Sequence, residues 1–273
     1  MSSVIETSPA SSKLVWAGRI LSGVTIAFLL FDGVIHLTKV APVVQAFAQL
    51  GFPMRLAVAL GLLEIVCVAV YGYPRTAILG GICLTGYLGG AVAMQLRVGN
   101  SLFGETLFPV YVGLLVWGGL YLREPRLRAL LPLSRAMGRA PSRKMLWTAR
   151  LTSALPVVIV LFGSIVKLIK VEGVVEGFRQ AGIPEPLIVT IGIIELVCTL
   201  TYMIPPTRVL GAILMTGLLG GAVATNLRVG NPGWILPVLV GALVWGGLLL
   251  RDPSLRALVA GRSKSLTAPF DRV

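Results

Sequence analysis

The second half of this 273-residue chain repeats the first half. Residues 76–100 read TAILGGICLTGYLGGAVAMQLRVGN and residues 207–231 read TRVLGAILMTGLLGGAVATNLRVGN, so 17 of 25 positions are identical. The match continues backwards at the same spacing of 131 residues and forwards at a spacing of 128 residues. Such a repeat indicates one structural unit built twice. Any fold for the chain must therefore consist of two similar halves.

Each copy contains four long apolar runs, separated by Pro, Gly or charged residues. A helix of about 20 apolar residues crosses the hydrocarbon core of a bilayer. The chain is 56% hydrophobic and only 13% charged, whereas soluble domains contain roughly 25% charged residues. We therefore predict an all-α membrane protein whose eight transmembrane helices form two tandem, parallel four-helix bundles. The predicted spans are 14–37, 54–73, 76–97, 106–122, 148–169, 186–204, 207–228 and 233–250.

The same boundaries divide the chain into two units and three polar segments. The predicted parts are a polar N-terminal segment at 1–13, a first unit at 14–131, a basic cytoplasmic linker at 132–147, a second unit at 148–259 and a basic C-terminal tail at 260–273. After the first span of each copy, residues 42–51 and 172–182 carry apolar residues at helical spacing. This spacing predicts short amphipathic helices at the membrane surface.

The formal net charge of +13 is spread between and after the apolar runs. Lys and Arg in short loops mark the cytoplasmic side of a membrane protein, and most of them fall on the side of both chain ends and the linker. We predict a multi-pass protein of the plasma membrane with cytoplasmic N- and C-termini. The expected partner is the lipid bilayer, and the absence of a single basic patch argues against nucleic acid.

One acidic residue lies near the middle of the second span in each copy, at Glu64 and Glu195. A charged side chain at this depth costs about 2.5–3.5 kcal/mol on insertion scales, so both are predicted to face the bundle interior. Each serves either a functional site or a hydrogen bond between helices. Thr85 and Thr216 lie at a similar depth in the neighbouring third span and are the predicted partners of the two carboxyl groups.

Two cysteines complete this predicted buried polar site. Cys67 and Cys198 follow the acidic residues by three positions and therefore share their helical face. A small buried apolar side chain is the alternative role for each. The predicted buried polar site comprises Glu64, Thr85, Cys67, Glu195, Thr216 and Cys198.

A second group of polar residues is predicted at the outer mouth of the bundles. Asp32 and His36 are four residues apart on one face of the first span, where the second copy has Gly163 and Lys167. Arg97 and Arg228 end the third spans, from which they reach lipid head groups or bind an anionic ligand. His36 is the only histidine, so no metal site is predicted. No catalytic residue is assigned. The predicted outer-mouth site comprises Asp32, His36, Arg97, Lys167 and Arg228.

These motifs resemble the DoxX-like family of small four-span membrane proteins. The resemblance rests on GxxE in the second span, on LGGAVAxxLRVGN and on the Leu-Arg endings, and it covers roughly residues 14–131 and 148–259. It implies a four-helix bundle. Through the quinone-linked enzymes for which the family is named, it also implies a redox-associated protein that binds a quinone or another lipophilic molecule. Lys167 stands where the family usually has lysine, and His36 departs from that pattern.

Three functions remain open at this point. The protein binds a quinone or similar molecule beside a membrane redox partner, with Glu64 and Glu195 handling protons. Alternatively, it is a proton-coupled carrier with the same residues at its substrate sites. The third possibility is a non-catalytic accessory subunit whose basic linker contacts anionic lipids or a partner. No cofactor is evident apart from the quinone, and enzymatic activity stays open.

Overall fold

A computed structural model of the chain describes residues 12–128, 131 and 142–260. Most of the predicted N-terminal segment, linker and C-terminal tail lies outside these residues. The described part of the chain contains helices and turns without strands. Eight of its helices are long and apolar enough to cross a membrane, which confirms the predicted all-α fold with eight spans.

The first unit is a four-helix bundle with one short helix at each end. Its long helices α1, α3, α4 and α5 form a closed ring, because α1 and α4 each pack against both α3 and α5. The short helix α2 follows α1, and α6 follows α5. The helices are α1 (Ser12–Thr38), α2 (Ala41–Gln49), α3 (Ala57–Gly72), α4 (Ala77–Val98), α5 (Phe108–Arg123) and α6 (Pro125–Arg128).

The second unit repeats this arrangement. Its helices are α7 (Arg143–Leu168), α8 (Glu172–Gln180), α9 (Pro186–Met203), α10 (Arg208–Arg228), α11 (Ile235–Arg251) and α12 (Pro253–Val259). Helices α7 and α10 each pack against both α9 and α11. Helix α7 begins at Arg143, so it includes five residues of the predicted linker. The short helices α2 and α8 lie where amphipathic helices are predicted.

Apolar side chains cover the outside of the bundles, and small polar side chains lie inside. Phe31 is 66% exposed and Leu151 is 69% exposed, whereas Ser22, Ser164 and Thr199 are buried. This distribution suits a hydrocarbon solvent, in which polar groups must find partners between helices. The exposed apolar surface of the structure is therefore the surface that faces lipid.

A buried tyrosine ties three helices together in each unit. The Tyr71 hydroxyl on α3 donates to the carbonyl oxygen of Val116 on α5, and it lies 3.0 Å from the hydroxyl of Ser22 on α1. The second unit repeats these contacts at 3.1 Å with its equivalent residues, Tyr202, Val244 and Ser153. Both bundles are therefore fastened at the same point by the same polar contact.

The two units pack against each other through α4 and α10. A Cβ atom on Gly89 would collide with the carbonyl of Gly217, and one on Gly220 would collide with the carbonyl of Gly86. Glycine at these positions therefore permits the close approach of the two backbones. Gly86 and Gly89 correspond to Gly217 and Gly220, so each contact is mirrored across a pseudo-two-fold axis. We call this contact the glycine seam.

The bundles have two distinct ends, which we name by the elements that they carry. The connector end carries α2 and α8. The terminal end carries the beginnings of α1 and α7. The two units share one orientation, since equivalent residues of α4 and α10 meet at equal depth along the glycine seam.

Candidate functional site

The buried carboxyl group of the first unit lies where α1, α3 and α4 meet. Glu64 on α3 is 0% exposed. The Tyr87 hydroxyl on α4 donates to Glu64 Oε2 at 2.9 Å, and His36 Nδ1 on α1 lies 3.9 Å from the same oxygen. The other oxygen, Oε1, is buried and has no hydrogen-bond partner among the described residues. One half of this carboxyl group is therefore unsatisfied.

A second carboxyl group lies beside the same histidine. Asp32 Oδ2 is 3.6 Å from His36 Nδ1, which also forms a 2.8 Å hydrogen bond with the Asp32 carbonyl oxygen. Asp32, His36 and Glu64 each offer one ligand atom, and these atoms all lie within 4.8 Å of one another. With Tyr87, these residues form what we call the first polar centre.

The equivalent place in the second unit contains an ion pair. Lys167 Nζ on α7 donates to Glu195 Oε2 on α9 at 2.9 Å and to the Gly163 carbonyl oxygen at 3.2 Å. Leu218 stands at the position of Tyr87. Lys167 and Glu195 form what we call the second polar centre. Its one ammonium group and its one carboxylate compensate each other's charge.

The short helices cover the two centres differently. Val43 and Phe47 of α2 are buried against the first unit, and the Phe47 ring contacts the His36 ring edge to face at a centroid distance of 5.7 Å. No described residue of α8 is buried. Glu64 is therefore the more enclosed of the two glutamates, with a side chain that is 0% exposed against 14% for Glu195. Asp32, at the edge of the first polar centre, is 34% exposed.

The predicted pairing of each glutamate with a threonine is wrong. Thr85 instead accepts a 2.9 Å hydrogen bond from Trp117 Nε1 and donates to the Gly81 carbonyl at 2.7 Å. Thr216 makes the same contacts with Trp245 and Ala212 in the second unit. Both threonines lie beside the glycine seam. They lie at the depth of the glutamates, but their hydroxyl groups contact α5 and α11 and not the glutamates on α3 and α9.

The predicted outer-mouth residues also divide into separate places. Asp32, His36 and Lys167 join the glutamates, because Asp32 lies six residues before the end of α1 and Glu64 lies seven residues after the start of α3. The arginines lie near the connector end instead. Arg97 donates to the carbonyl of Leu50, at the end of α2, and Arg228 donates to that of Ala181, at the end of α8. Both arginines thus cap helix ends.

The cysteines follow the prediction in part. Cys67 and Cys198 are buried next to their glutamates, on the same helical faces. Cys67 also lies beside Cys83 of α4, whose equivalent in the second unit is Leu214. All three cysteines are free thiols.

An apolar cleft of about 640 Å³ opens between the two units, next to the first polar centre. His36, Cys67 and Tyr87 lie on its first-unit wall, and Thr216 and Trp245 lie on its second-unit wall. Most of its other lining residues are aliphatic, and several of them are exposed on the lipid-facing surface. The cleft therefore joins the bilayer interior to the first polar centre.

A family model supports the resemblance noted in the sequence. The model of the DoxX-like family matches residues 20–119 and again residues 151–247. The chain belongs to the DoxX-like family. It contains two tandem DoxX-like units, and their apolar helices make it a multi-pass membrane protein. Comparison with curated proteins and with solved structures gives no match.

Tyr87 and Cys83 are the site residues that the sequence analysis missed. Both belong to a set of positions at which the first DoxX-like unit is polar and the second is not, or carries a different charge. In the first unit these are Asp32, His36, Cys83 and Tyr87, and in the second they are Gly163, Lys167, Leu214 and Leu218. The structure brings Asp32, His36 and Tyr87 together around Glu64, places Gly163 and Lys167 beside Glu195, and puts Cys83 next to Cys67. A comparison of the two copies for positions at which they differ would therefore have identified Tyr87 and Cys83.

Proposed function

We propose that this DoxX-like protein binds a lipophilic small molecule of the quinone class in the cleft between its two units. The observation that carries the proposal is the 640 Å³ apolar cleft with the first polar centre on its wall. Ligand pockets typically measure about 300–1,000 Å³ and combine apolar walls with a few polar groups. This cleft has that size and that chemistry.

The cleft suits a molecule with a flat head group and an isoprenoid tail. The exposed aliphatic residues at its rim offer a path from the bilayer for such a tail. The Trp245 and Tyr87 rings on opposite walls offer flat surfaces for a head group, and the His36 ring offers a polar contact to it. Stacking and a few well-placed donors are the usual means of fixing an aromatic ligand.

The first polar centre supports a role in proton transfer. The conversion of a quinone to a quinol takes up two electrons and two protons. Tyr87, Glu64 and His36 form a contact chain that leads from the cleft wall to Asp32. Electrons would come from a membrane redox partner, whereas binding alone needs no partner.

We also propose a plasma-membrane location with both termini in the cytoplasm. Arg19, Arg75, Arg123, Arg143 and Arg208 lie at the terminal end. Among the described residues, twelve Lys and Arg lie in the half of the bundles at the terminal end, against seven in the half at the connector end. This asymmetry is the one that cytoplasmic loops show. A reporter enzyme that is active only in the cytoplasm tests it when fused after Val273, and inactivity of that fusion contradicts the proposed orientation.

The binding proposal is tested by filling the cleft. Gly241 lines the cleft, while its counterpart in the first unit, Gly113, does not. Protein purified in mild detergent is extracted with organic solvent, and quinones are quantified by mass spectrometry. We expect bound quinone in the wild type and in Gly113→Phe, and about a tenfold loss or more in Gly241→Phe, because the added ring occupies cleft volume. Equal quinone content in the three proteins, or none in any of them, contradicts the proposal.

Tryptophan fluorescence gives a second readout. A quinone head group beside Trp245 would quench its emission, whereas Trp117, the equivalent residue, does not line the cleft. Titration with a short-tailed quinone should produce saturable quenching in the wild type and in Trp117→Phe. The saturable part should disappear in Trp245→Phe. Quenching that persists in Trp245→Phe places the molecule elsewhere.

A further inference from the structure

The two polar centres differ in their charge balance. The second centre pairs one carboxylate with one ammonium group at 2.9 Å. The first centre has two carboxylates, Asp32 and Glu64, around one imidazole. Burial of a net charge is costly unless a partner compensates it. The first centre therefore has the His36 imidazole where Lys167 supplies an ammonium group in the second, with Glu64 fully buried and Asp32 34% exposed at its edge.

The unsatisfied oxygen of Glu64 indicates a missing partner. Glu64 is 0% exposed, and its Oε1 has no hydrogen-bond partner among the described residues. Nearly all buried polar atoms of side chains have a partner in folded proteins. A cation bound by both oxygens of the carboxylate would satisfy Oε1 together with Oε2, the oxygen that faces His36.

We propose that Asp32, His36 and Glu64 bind a divalent first-row transition-metal ion, of which Zn²⁺ and Mn²⁺ are the probes. Imidazole with carboxylates is a ligand set that such ions accept. Ligands at about 2.0–2.2 Å from one tetrahedral ion lie about 3.4 Å apart. His36 Nδ1 lies 3.6 Å from Asp32 Oδ2 and 3.9 Å from Glu64 Oε2, and no two ligand atoms are more than 4.8 Å apart, so the side chains must close around an ion to complete the set.

The surroundings of the three ligands suit an ion. The Tyr87 hydroxyl donates to Glu64 Oε2 and orients that carboxylate, and the Phe47 ring packs against His36. Such outer contacts fix the ligands of metal sites. Ion binding displaces the Nδ1 proton that the Asp32 carbonyl now accepts, as metal binding to histidine generally does. Asp32 lies roughly 9 Å from the end of α1 at 1.5 Å per residue, which leaves a short path from the connector end.

The second unit supplies the decisive variant. Asp32→Gly with His36→Lys gives the first unit the residues of the second at both positions, and the second unit shows that the fold accepts them. Full-length protein with a cleavable tag is stripped with EDTA, dialysed against micromolar Zn²⁺ or Mn²⁺, and counted by mass spectrometry. We expect one ion per chain in the wild type and a loss of affinity of about a hundredfold or more in the double variant. Glu185→Gln, which changes an exposed carboxyl group of the second unit, should retain the ion.

Two further variants separate this site from other metal ligands. Cys67→Ser should retain the ion, since no thiol belongs to the proposed set. Gly163→Asp with Lys167→His should raise the count to two ions per chain, because Gly163 has room for a side chain beside Glu195. Less than a tenth of an ion in the wild type, equal counts in the wild type and the first double variant, or a loss in Cys67→Ser would overturn the proposal. Quinone content is measured separately, so failure here leaves the cleft proposal standing.

Discussion

The two DoxX-like units share their framework and differ in their polar centres. The tyrosine contact, the Trp–Thr hydrogen bond and the glycine seam recur in both units with nearly equal distances. The centres instead contain Asp32, His36 and Tyr87 in one unit and Lys167 in the other. The comparison shows that one fold accepts two charge arrangements around the same glutamate. The residues that recur in both units build the bundle, and the residues that differ distinguish the polar centre of the first unit from that of the second.

The largest effect is expected from loss of the cation in the second centre. Lys167→Met leaves Glu195, 14% exposed, without its 2.9 Å partner. Loss of one member of a buried ion pair should lower the free energy of unfolding by about 3 kcal/mol. Unfolding in detergent by increasing SDS measures this change. Lys167→Met with Glu195→Leu should recover most of the loss, because no charge is then stranded.

Lys170 provides the matched control for that experiment. It pairs with Glu185 at 3.1 Å, but both side chains are exposed, at 44% and 56%. Lys170→Met should cost about 0–1 kcal/mol. Similar losses in Lys167→Met and Lys170→Met would show that the second centre does not depend on its ammonium group.

A smaller effect is expected at the glycine seam. Gly89→Ala introduces a Cβ atom where the Gly217 backbone lies, so α4 and α10 must move apart. Overpacking of this kind typically costs about 1–3 kcal/mol. Gly220→Ala should cost a similar amount, because its contact with Gly86 is the mirrored one. The midpoint of thermal unfolding in detergent measures both changes.

Gly23 on α1 is the control for the seam, since a Cβ atom there meets nothing within 4 Å. Gly23→Ala should leave stability unchanged or raise it by up to about 1 kcal/mol, as alanine favours helices. If Gly23→Ala and Gly89→Ala lower the midpoint equally, the close approach of α4 and α10 is not what the glycines serve.

The smallest effect is expected at the shared tyrosines. Tyr71→Phe and Tyr202→Phe each remove a hydroxyl that donates to a buried carbonyl. Each change should cost about 1 kcal/mol in the free energy of unfolding. The two costs should agree, because the partners and distances are equivalent in the two units. Clearly unequal costs would mean that the difference between the units extends beyond their polar centres.

The body plan was predictable because it follows from local sequence. Helix length, apolar runs and the repeat predicted eight spans and two units without any knowledge of side-chain contacts. The inward orientation of Glu64 and Cys67 was predictable from their depth and spacing. The helical periodicity of a single span indicates which of its residues share a face, so the packing of neighbouring helices need not be known.

The composition of the site was not predictable in the same way. The pairing of Glu64 with Tyr87 rather than Thr85 depends on how α4 is rotated about its axis, and the glycine seam with α10 sets that rotation. The separation of Asp32 and His36 from Arg97 depends on the exact ends of α1 and α3. Both are properties of packing between helices, which depth along a span does not encode.

The glycine seam has a consequence for how such a chain can diverge. In a single-unit protein, the same seam would join two identical subunits, and every substitution would appear on both sides at once. Fusion of the two units into one polypeptide removes that constraint, since each half is encoded separately. The histidine of one half and the lysine of the other are then free to coexist permanently, as the subunits of an obligate heterodimer do.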